Sequence, residues 1–208
     1  MSNYSEKNIT AYNAKAANYD NTIDGKFTAK FKGLLVAHMQ VNEGNRVLDV
    51  GCGNGTLLRK IARTRPVKGF GADLSPQMIT VAGERYPEFE FTVAGCESLP
   101  FEESSMDIIT VCCAYHHFPD TDAFALEASR ILRPGESLYI ADVYLPPVVR
   151  QIANVFLPLS KDGDVRFYSR EEISRTFSRV GLELVSVVRK GYIQILHLRS
   201  PGTSSFSG

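Results

Sequence analysis

The sequence has no excess of either charge: 23 Lys and Arg stand against 23 Asp and Glu, a formal net charge of +0. That balance offers no electrostatic footprint for nucleic acid or an anionic membrane surface. No run approaches the roughly 18 apolar residues that span a bilayer. The opening Met1-Ser2-Asn3-Tyr4-Ser5-Glu6 lacks the charged-then-apolar order of a secretion signal. The four cysteines, Cys52, Cys96, Cys112 and Cys113, make no Cys-x-x-Cys pair and no zinc-like spacing. They are expected to be reduced, buried thiols of a cytoplasmic protein. A carboxylate pair, a Ser-His-Asp order and a His-rich cluster are also missing, so no metal site is expected. No repeat or linker divides the 208 residues, a length that suits one domain with a substantial core.

What the chain does have is residues 46–57, Arg-Val-Leu-Asp-Val-Gly-Cys-Gly-Asn-Gly-Thr-Leu, where an apolar run meets three alternate glycines and then a helical pattern. This predicts a strand, a tight turn and a helix start. Gly51, Gly53 and Gly55 permit backbone conformations closed to residues with a Cβ, and let a ligand lie on bare peptide groups at a helix N-terminus. Asp49 is the odd residue. A carboxylate within Val47-Leu48-Asp49-Val50 is costly to bury without a cation or a donor, and its place at the strand end points to a ligand as the partner. A dinucleotide site wants Gly-x-Gly-x-x-Gly, but the third glycine position here is Thr56. Gly-x-Gly-x-Gly with an acid two residues ahead resembles motif I of the class I S-adenosylmethionine-dependent methyltransferases, whose acid faces the amino group of the cofactor's methionine moiety. A glycine turn with no ligand is the remaining reading, and it leaves Asp49 unexplained.

The rest of the chain can be read in order. Residues 3–43 predict a helical pair, one helix through Ile9–Ala17 and one from Gly25 to Met39. Tyr12-Asn13-Ala14-Lys15-Ala16-Ala17-Asn18-Tyr19-Asp20 resembles a segment that folds over the cofactor in many small-molecule methyltransferases, making Tyr19 a lid residue; helix packing is the plainer role. Val67–Asp73 is the second strand, and Ser75-Pro76 signals a helix start. Asp73 ends that strand, where an acid can accept from a ribose diol in either nucleotide class. Gly71-Ala72-Asp73-Leu74-Ser75-Pro76-Gln77-Met78 resembles the methyltransferase form, in which Leu74 and Met78 flank the adenosine. Phe89–Ala94 alternates like a third strand. Gly95-Cys96-Glu97-Ser98-Leu99-Pro100-Phe101 resembles the loop beside the adenine, except that Gly95 stands where the family has an Asp, leaving a backbone group, Cys96 or Glu97 to substitute.

Met106–Cys113 is a central strand by its near-continuous apolar character. Ala114-Tyr115-His116-His117-Phe118-Pro119-Asp120 follows at its carboxyl end and resembles the family's Leu-His-His-x-x-Asp signature. Ala123–Leu132 is the next helix, and Leu132-Arg133-Pro134-Gly135-Glu136 reads as a turn before strand Ser137–Asp142. Residues 143–168 interrupt the alternation with an amphipathic helix, Val148–Phe156, and a loop. Ser169-Arg170-Glu171-Glu172 is a capping box for a helix ending near Gly181, and strands Leu182–Val188 and Tyr192–Leu198 close the chain.

The reading is therefore an α/β, doubly wound, Rossmann-like seven-stranded sheet, mostly parallel with the last strand antiparallel. It forms one domain over 1–200, with 3–43 as a lid, 143–168 as an insert over the acceptor site and 201–208 as a disordered tail. The resemblance, over about residues 12–195, implies methyl transfer from S-adenosyl-L-methionine to a small-molecule acceptor by a cytoplasmic monomer or homodimer, with no nucleic-acid or membrane partner. It implies cofactor contacts from Tyr19, Asp49, Gly51, Gly53, Gly55, Asp73, Leu74, Met78, Cys96, Glu97 and Cys112. Tyr19, Tyr115 and Phe118 are the aromatic candidates for the sulfonium by position. His116 and His117 are candidates for a catalytic base, needed only if the acceptor must lose a proton. Arg150, Arg166 and Tyr168 are placed to meet an acidic acceptor or to serve as solvated surface. The alternatives are an NAD-dependent oxidoreductase on a similar sheet and a non-catalytic S-adenosylmethionine-binding regulator.

Overall fold

The computed structural model describes residues 3–160 and 162–202. Its centre is a seven-stranded sheet in the order β3-β2-β1-β4-β5-β7-β6. The strands are β1 Arg46–Val50, β2 Lys68–Asp73, β3 Glu90–Val93, β4 Met106–Cys112, β5 Leu132–Val143, β6 Glu183–Lys190 and β7 Ile193–Arg199. All neighbours among β1 to β5 pair parallel, whereas β7 enters antiparallel between β5 and β6. This is the doubly wound α/β sheet expected from the sequence. A short connection at Gly191-Tyr192 forces β6 and β7 into a hairpin, which can only pair antiparallel. Of the two, β7 is buried at every position but Arg199 and takes the inner slot, while the largely exposed β6 takes the edge.

The helices are α1 Asn3–Lys15, α2 Ile23–His38, α3 Thr56–Ala62, α4 Pro76–Arg85, α5 Thr121–Ile131, α6 Pro147–Phe156 and α7 Arg170–Ser178. Strand alternation sends Leu48, Val50, Ile109, Val111, Leu138 and Ile140 to one face, against Phe124 and Ile131 of α5 and Ile173 and Phe177 of α7. Val47, Ile108, Tyr139 and Ala141 face the other way, under Phe31 and Leu35 of α2 and Leu57, Leu58 and Ile61 of α3. Each such apolar side chain contributes about 1.5–3 kcal/mol on full burial, which is why the sheet is covered on both sides. Polar caps set the helix starts: Ser75 Oγ accepts from Met78 N, Asp120 Oδ1 from Ala123 N, and Ser169 and Glu172 form a reciprocal capping box.

Two boundaries differ from expectation. Helix α1 begins at Asn3 and stops at Lys15, and a 3-10 segment, Ala16–Asn21, broken at Asn18, then turns Tyr19 inward to 6% exposure. Strand β5 begins at Leu132 and not after Gly135, because a register shift between Met106 and Ile108 of β4 absorbs the extra residues and Gly135 takes φ +82°. At the C-terminus, Pro201 O accepts from Gly135 N and Ser200 Oγ donates to Arg133 O. The expected disordered tail otherwise falls largely on residues 203–208, which lie outside the described residues.

Candidate active site

Three acids end three strands along the carboxyl edge of the sheet: Asp49 on β1, Asp73 on β2 and Asp142 near the end of β5. Between the first two runs the glycine turn. Gly51 and Cys52 both donate their N–H to Ala72 O, folding the turn over β2, and Gly51, Gly53 and Gly55 all have positive φ. A Cβ on Gly51 would lie 2.4 Å from the Ala114 Cβ, so only glycine fits there. Gly53 N donates to Asp73 Oδ2 at 2.8 Å and Ser75 N to Asp73 Oδ1 at 2.9 Å, so both oxygens are oriented by main chain. Burial pushes the Asp73 carboxyl above its ordinary value, against the pull of those two donors.

Asp49 is 2% exposed and accepts from Thr110 Oγ1 at 2.7 Å. Burial pushes its carboxyl up to about 7, opposed by the Thr110 hydrogen bond and the charge of Lys32 and reinforced by Asp73. No cation forms an ion pair with it among the described residues. Lys32 Nζ instead donates to Thr56 Oγ1 at 2.5 Å and lies 5.8 Å from the Tyr19 ring centroid.

A cleft opens over this edge, walled by Asp49, Gly51, Gly53, Asp73, Leu74, Met78, Cys96 and Cys112, with Cys113, Phe118 and His117 further along. Tyr12, Tyr19, Thr28 and Lys32 also line it, from α1, the 3-10 segment and α2. Two charged clusters are among the contacts that fasten that cover. Asp20 accepts from Asn54 Nδ2 of the glycine turn at 2.9 Å and pairs with Arg85 at 2.7 Å. Lys15 Nζ bridges Asp24 at 2.8 Å and Asp162 of the insert at 2.7 Å.

Among the sequence-predicted residues, Gly55 and Glu97 are not in the cleft wall. Gly55 is the N-cap of α3, and a Cβ there would meet the Phe91 ring at 2.8 Å, so its role is packing. Glu97 folds back over Gly95, its Oε2 2.7 Å from where a Cβ on Gly95 would be. Tyr115 does not reach the cleft either: it is 1% exposed and packs on Phe118, Phe124, Tyr168 and Phe177 in the core. Arg150 and Arg166 both turn to Glu172 in the first turn of α7, at 3.8 and 2.5 Å, and Tyr168 packs on Tyr115. Burial raises the thiols of Cys52, Cys96 and Cys113, which disfavours any as a thiolate nucleophile.

The two histidines sit on a 3-10 turn, Tyr115–His117, with ring centroids 4.1 Å apart. His117 lines the cleft and its Nε2 lies 3.1 Å from Tyr12 Oη. His116 sits behind it, Nδ1 2.7 Å from Asp142 Oδ1. Burial disfavours its cation, but Asp142 and Asp164 outweigh that and hold its pKa above the ordinary value. Sequence reasoning missed Asp142, Asp164, Lys32 and Thr110. A lone acid ending an apolar strand, the signal read at Asp49, was equally available at Asp142; Asp164 and Lys32 carry no local signal.

The sheet order and the acid-flanked glycine turn are those of the class I S-adenosylmethionine-dependent methyltransferases, and the inserted antiparallel β7 separates this sheet from the dinucleotide-binding order 3-2-1-4-5-6. Residues 47–135 match the family model described as a methyltransferase domain. The chain is 32% identical over 119 residues to demethylmenaquinone methyltransferase of Chlorobaculum parvum, covering 55% of this chain and 49% of that protein. It is 29% identical over 126 residues to 27-O-demethylrifamycin SV methyltransferase of Amycolatopsis mediterranei, covering 58% and 46%. The matches therefore span about half the length of these curated relatives. Among solved structures, a chain of the complex between the Haloferax volcanii Trm112 methyltransferase activator and a methyltransferase superposes with a TM-score of 0.79 at 23% identity, covering 91% of this chain and 97% of that one.

Proposed function

We propose that the protein transfers a methyl group from S-adenosyl-L-methionine to a small molecule. The observation that carries this reading is Asp49, a buried carboxylate at the end of β1 with a hydroxyl partner and no paired cation among the described residues. An α-ammonium group supplies the missing charge. Asp73, with both oxygens set by backbone donors, retains lone pairs for the two hydroxyls of a ribose. Leu74 and Met78 offer apolar faces for the adenine, with Cys96 beside them in the cleft wall.

Bound S-adenosylmethionine supplies an electrophilic methyl on a cationic sulfur. The chain's own task is then alignment, since in-line displacement gains most from holding the reacting groups at contact distance. Tyr12, Tyr19 and Phe118 are the aromatic side chains that line the cleft and could meet a cation there, with Tyr115 excluded. The 3-10 segment and its Asn54 and Arg85 fastenings make residues 3–43 a cover that limits water. The insert, through Lys15 and Asp162, closes the acceptor end. No described helix is long and apolar enough to cross a membrane, and four free cysteines agree with a cytoplasmic setting. The quinone and rifamycin derivatives named for the relatives support a small-molecule acceptor.

Calorimetric titration with S-adenosylhomocysteine and with NAD tests the cofactor. Binding of the first and not the second is expected; the reverse would return the oxidoreductase reading. Turnover on a panel of phenolic, quinol and fatty-acid acceptors separates the enzyme from a binding-only regulator, which would hold cofactor and methylate none.

A further inference from the structure

Asp164 comes from the insert, yet its carboxylate lies against both histidines of the 3-10 turn. Its Oδ1 is 3.5 Å from His116 Nε2 and 3.2 Å from His117 Nδ1, and one donor atom from each residue falls within 4.8 Å of the others. Donors sharing one ion at about 2.0–2.1 Å in a tetrahedral arrangement stand roughly 3.3 Å apart, so the two carboxylate-to-imidazole spacings are those of a ligand set.

The second nitrogen of each ring is already engaged. His116 Nδ1 is held by Asp142, which also accepts from the backbone N–H groups of His116 at 3.0 Å and Val143 at 2.7 Å. His117 Nε2 is held by Tyr12 Oη. A carboxylate, as behind His116, is a partner that fixes ring orientation at metal sites and turns the opposite nitrogen toward the ion, and the Tyr12 hydroxyl holds the His117 ring from the corresponding side. His117 Nδ1 is buried and makes no hydrogen bond, although Asp164 Oδ1 is within reach; the two atoms do not point along each other's bonding directions. Buried nitrogens are rarely left so. Asp164 is itself braced, its Oδ2 accepting from Ser160 Oγ at 2.5 Å, and the loop is tied to the turn by Val165 N donating to His116 O at 2.8 Å.

We propose that His116 Nε2, His117 Nδ1 and Asp164 Oδ1 bind one divalent transition-metal ion, with zinc as the representative ion. Two imidazoles and one carboxylate suit zinc or its transition-series neighbours and not calcium or magnesium, which take oxygen ligands. Three protein donors leave a coordination position free. Because His117 lines the cleft, that position serves an acceptor oxygen, whose proton the ion would make easier to lose. This last use rests on the methyl-transfer reading; binding of the ion does not.

The test is a calorimetric titration of the chelator-treated protein with zinc chloride, without cofactor or acceptor, so it stands or falls apart from methyl transfer. One ion per chain is expected, at least tenfold weaker in Asp164→Asn and in His117→Gln, with circular dichroism showing each variant folded. Cobalt(II) should give the visible bands of a nitrogen- and oxygen-ligated ion. Failure to bind zinc, binding that survives both folded variants, or a thiolate-to-cobalt charge-transfer band would overturn the site. The last would place the ion on Cys112 or Cys113.

Discussion

Thr110 Oγ1 on β4 donates to Asp49 Oδ1 on β1 at 2.7 Å, across a parallel strand pair in which the two residues are direct neighbours. The hydroxyl orients the carboxylate without neutralising it. Thr110→Val therefore leaves the packing nearly unchanged but removes a donor to a buried acid. Binding of S-adenosylhomocysteine should weaken by about ten- to a hundredfold, the equivalent of about 1.5–3 kcal/mol for a hydrogen bond to a charged group. Isothermal titration of the wild type and the variant checks this.

Asp49 also makes the free protein sensitive to pH. Its folded carboxyl, at about 7, lies above the 3.8 of an ordinary Asp. The unfolded chain therefore loses this proton first, so folding stability falls as pH rises from about 4 to 7 and is flat beyond. Three pKa units correspond to about 4 kcal/mol. Urea unfolding at pH 4, 5.5 and 7.5 should show the wild type losing up to that amount relative to Asp49→Asn, whose amide cannot ionise. An equal slope in both proteins would dissociate Asp49 from the effect.

Ligand binding should reverse that proton balance. An ammonium group beside Asp49 favours the ionised acid, so near pH 6 the complex releases a proton that the free protein held. Titration of S-adenosylhomocysteine in buffers of different ionisation enthalpy should report a release approaching one proton, absent in Asp49→Asn at concentrations where it still binds.

Gly51→Ala should cost both stability and binding. The new methyl would meet Ala114 Cβ at 2.4 Å, and the backbone sits at φ +73°. Overpacking costs about 1–3 kcal/mol before the backbone penalty is counted. A drop in thermal midpoint and loss of cofactor binding are expected. Gly33→Ala, on α2 where a Cβ meets no atom within 4 Å, is the control and should be neutral or slightly stabilising.

Arg130→Ala should loosen the loop beside the cleft. Arg130 donates to Phe101 O at 2.7 Å and Leu99 O at 3.1 Å, while its partner Glu127 accepts from Leu99 N at 2.8 Å. Removing the guanidinium leaves two carbonyls with a donor fewer. Faster amide exchange over residues 96–101, with little change elsewhere, is the expected result in hydrogen-exchange mass spectrometry.

Much of the site was legible because its signals are local. Gly51 and Gly53 announce a turn with positive φ, Asp49 and Asp73 are acids ending apolar strands, and Ser75 caps the helix that carries Met78. Gly55 and Glu97 were read from the same stretches, yet neither lines the cleft: strand β3 brings Phe91 against Gly55, and Glu97 folds back over Gly95. Arg150 and Arg166 looked available for an acceptor until Glu172, placed by its own capping box, proved to be their partner.

Order along the chain was enough to determine the sheet, the hairpin that inserts β7, and the edge over which the cleft opens, because hydrophobic period and turn chemistry act within a few residues of each other. Tertiary structure alone decided which polar atoms meet across that edge. Lys32 meets Thr56, Lys15 joins α1 to Asp24 of α2 and Asp162, and Asp164 is carried onto His116 and His117. Those pairings join segments far apart in sequence, and side-chain contacts at such separations are set by how whole elements pack, not by anything a local stretch of sequence encodes.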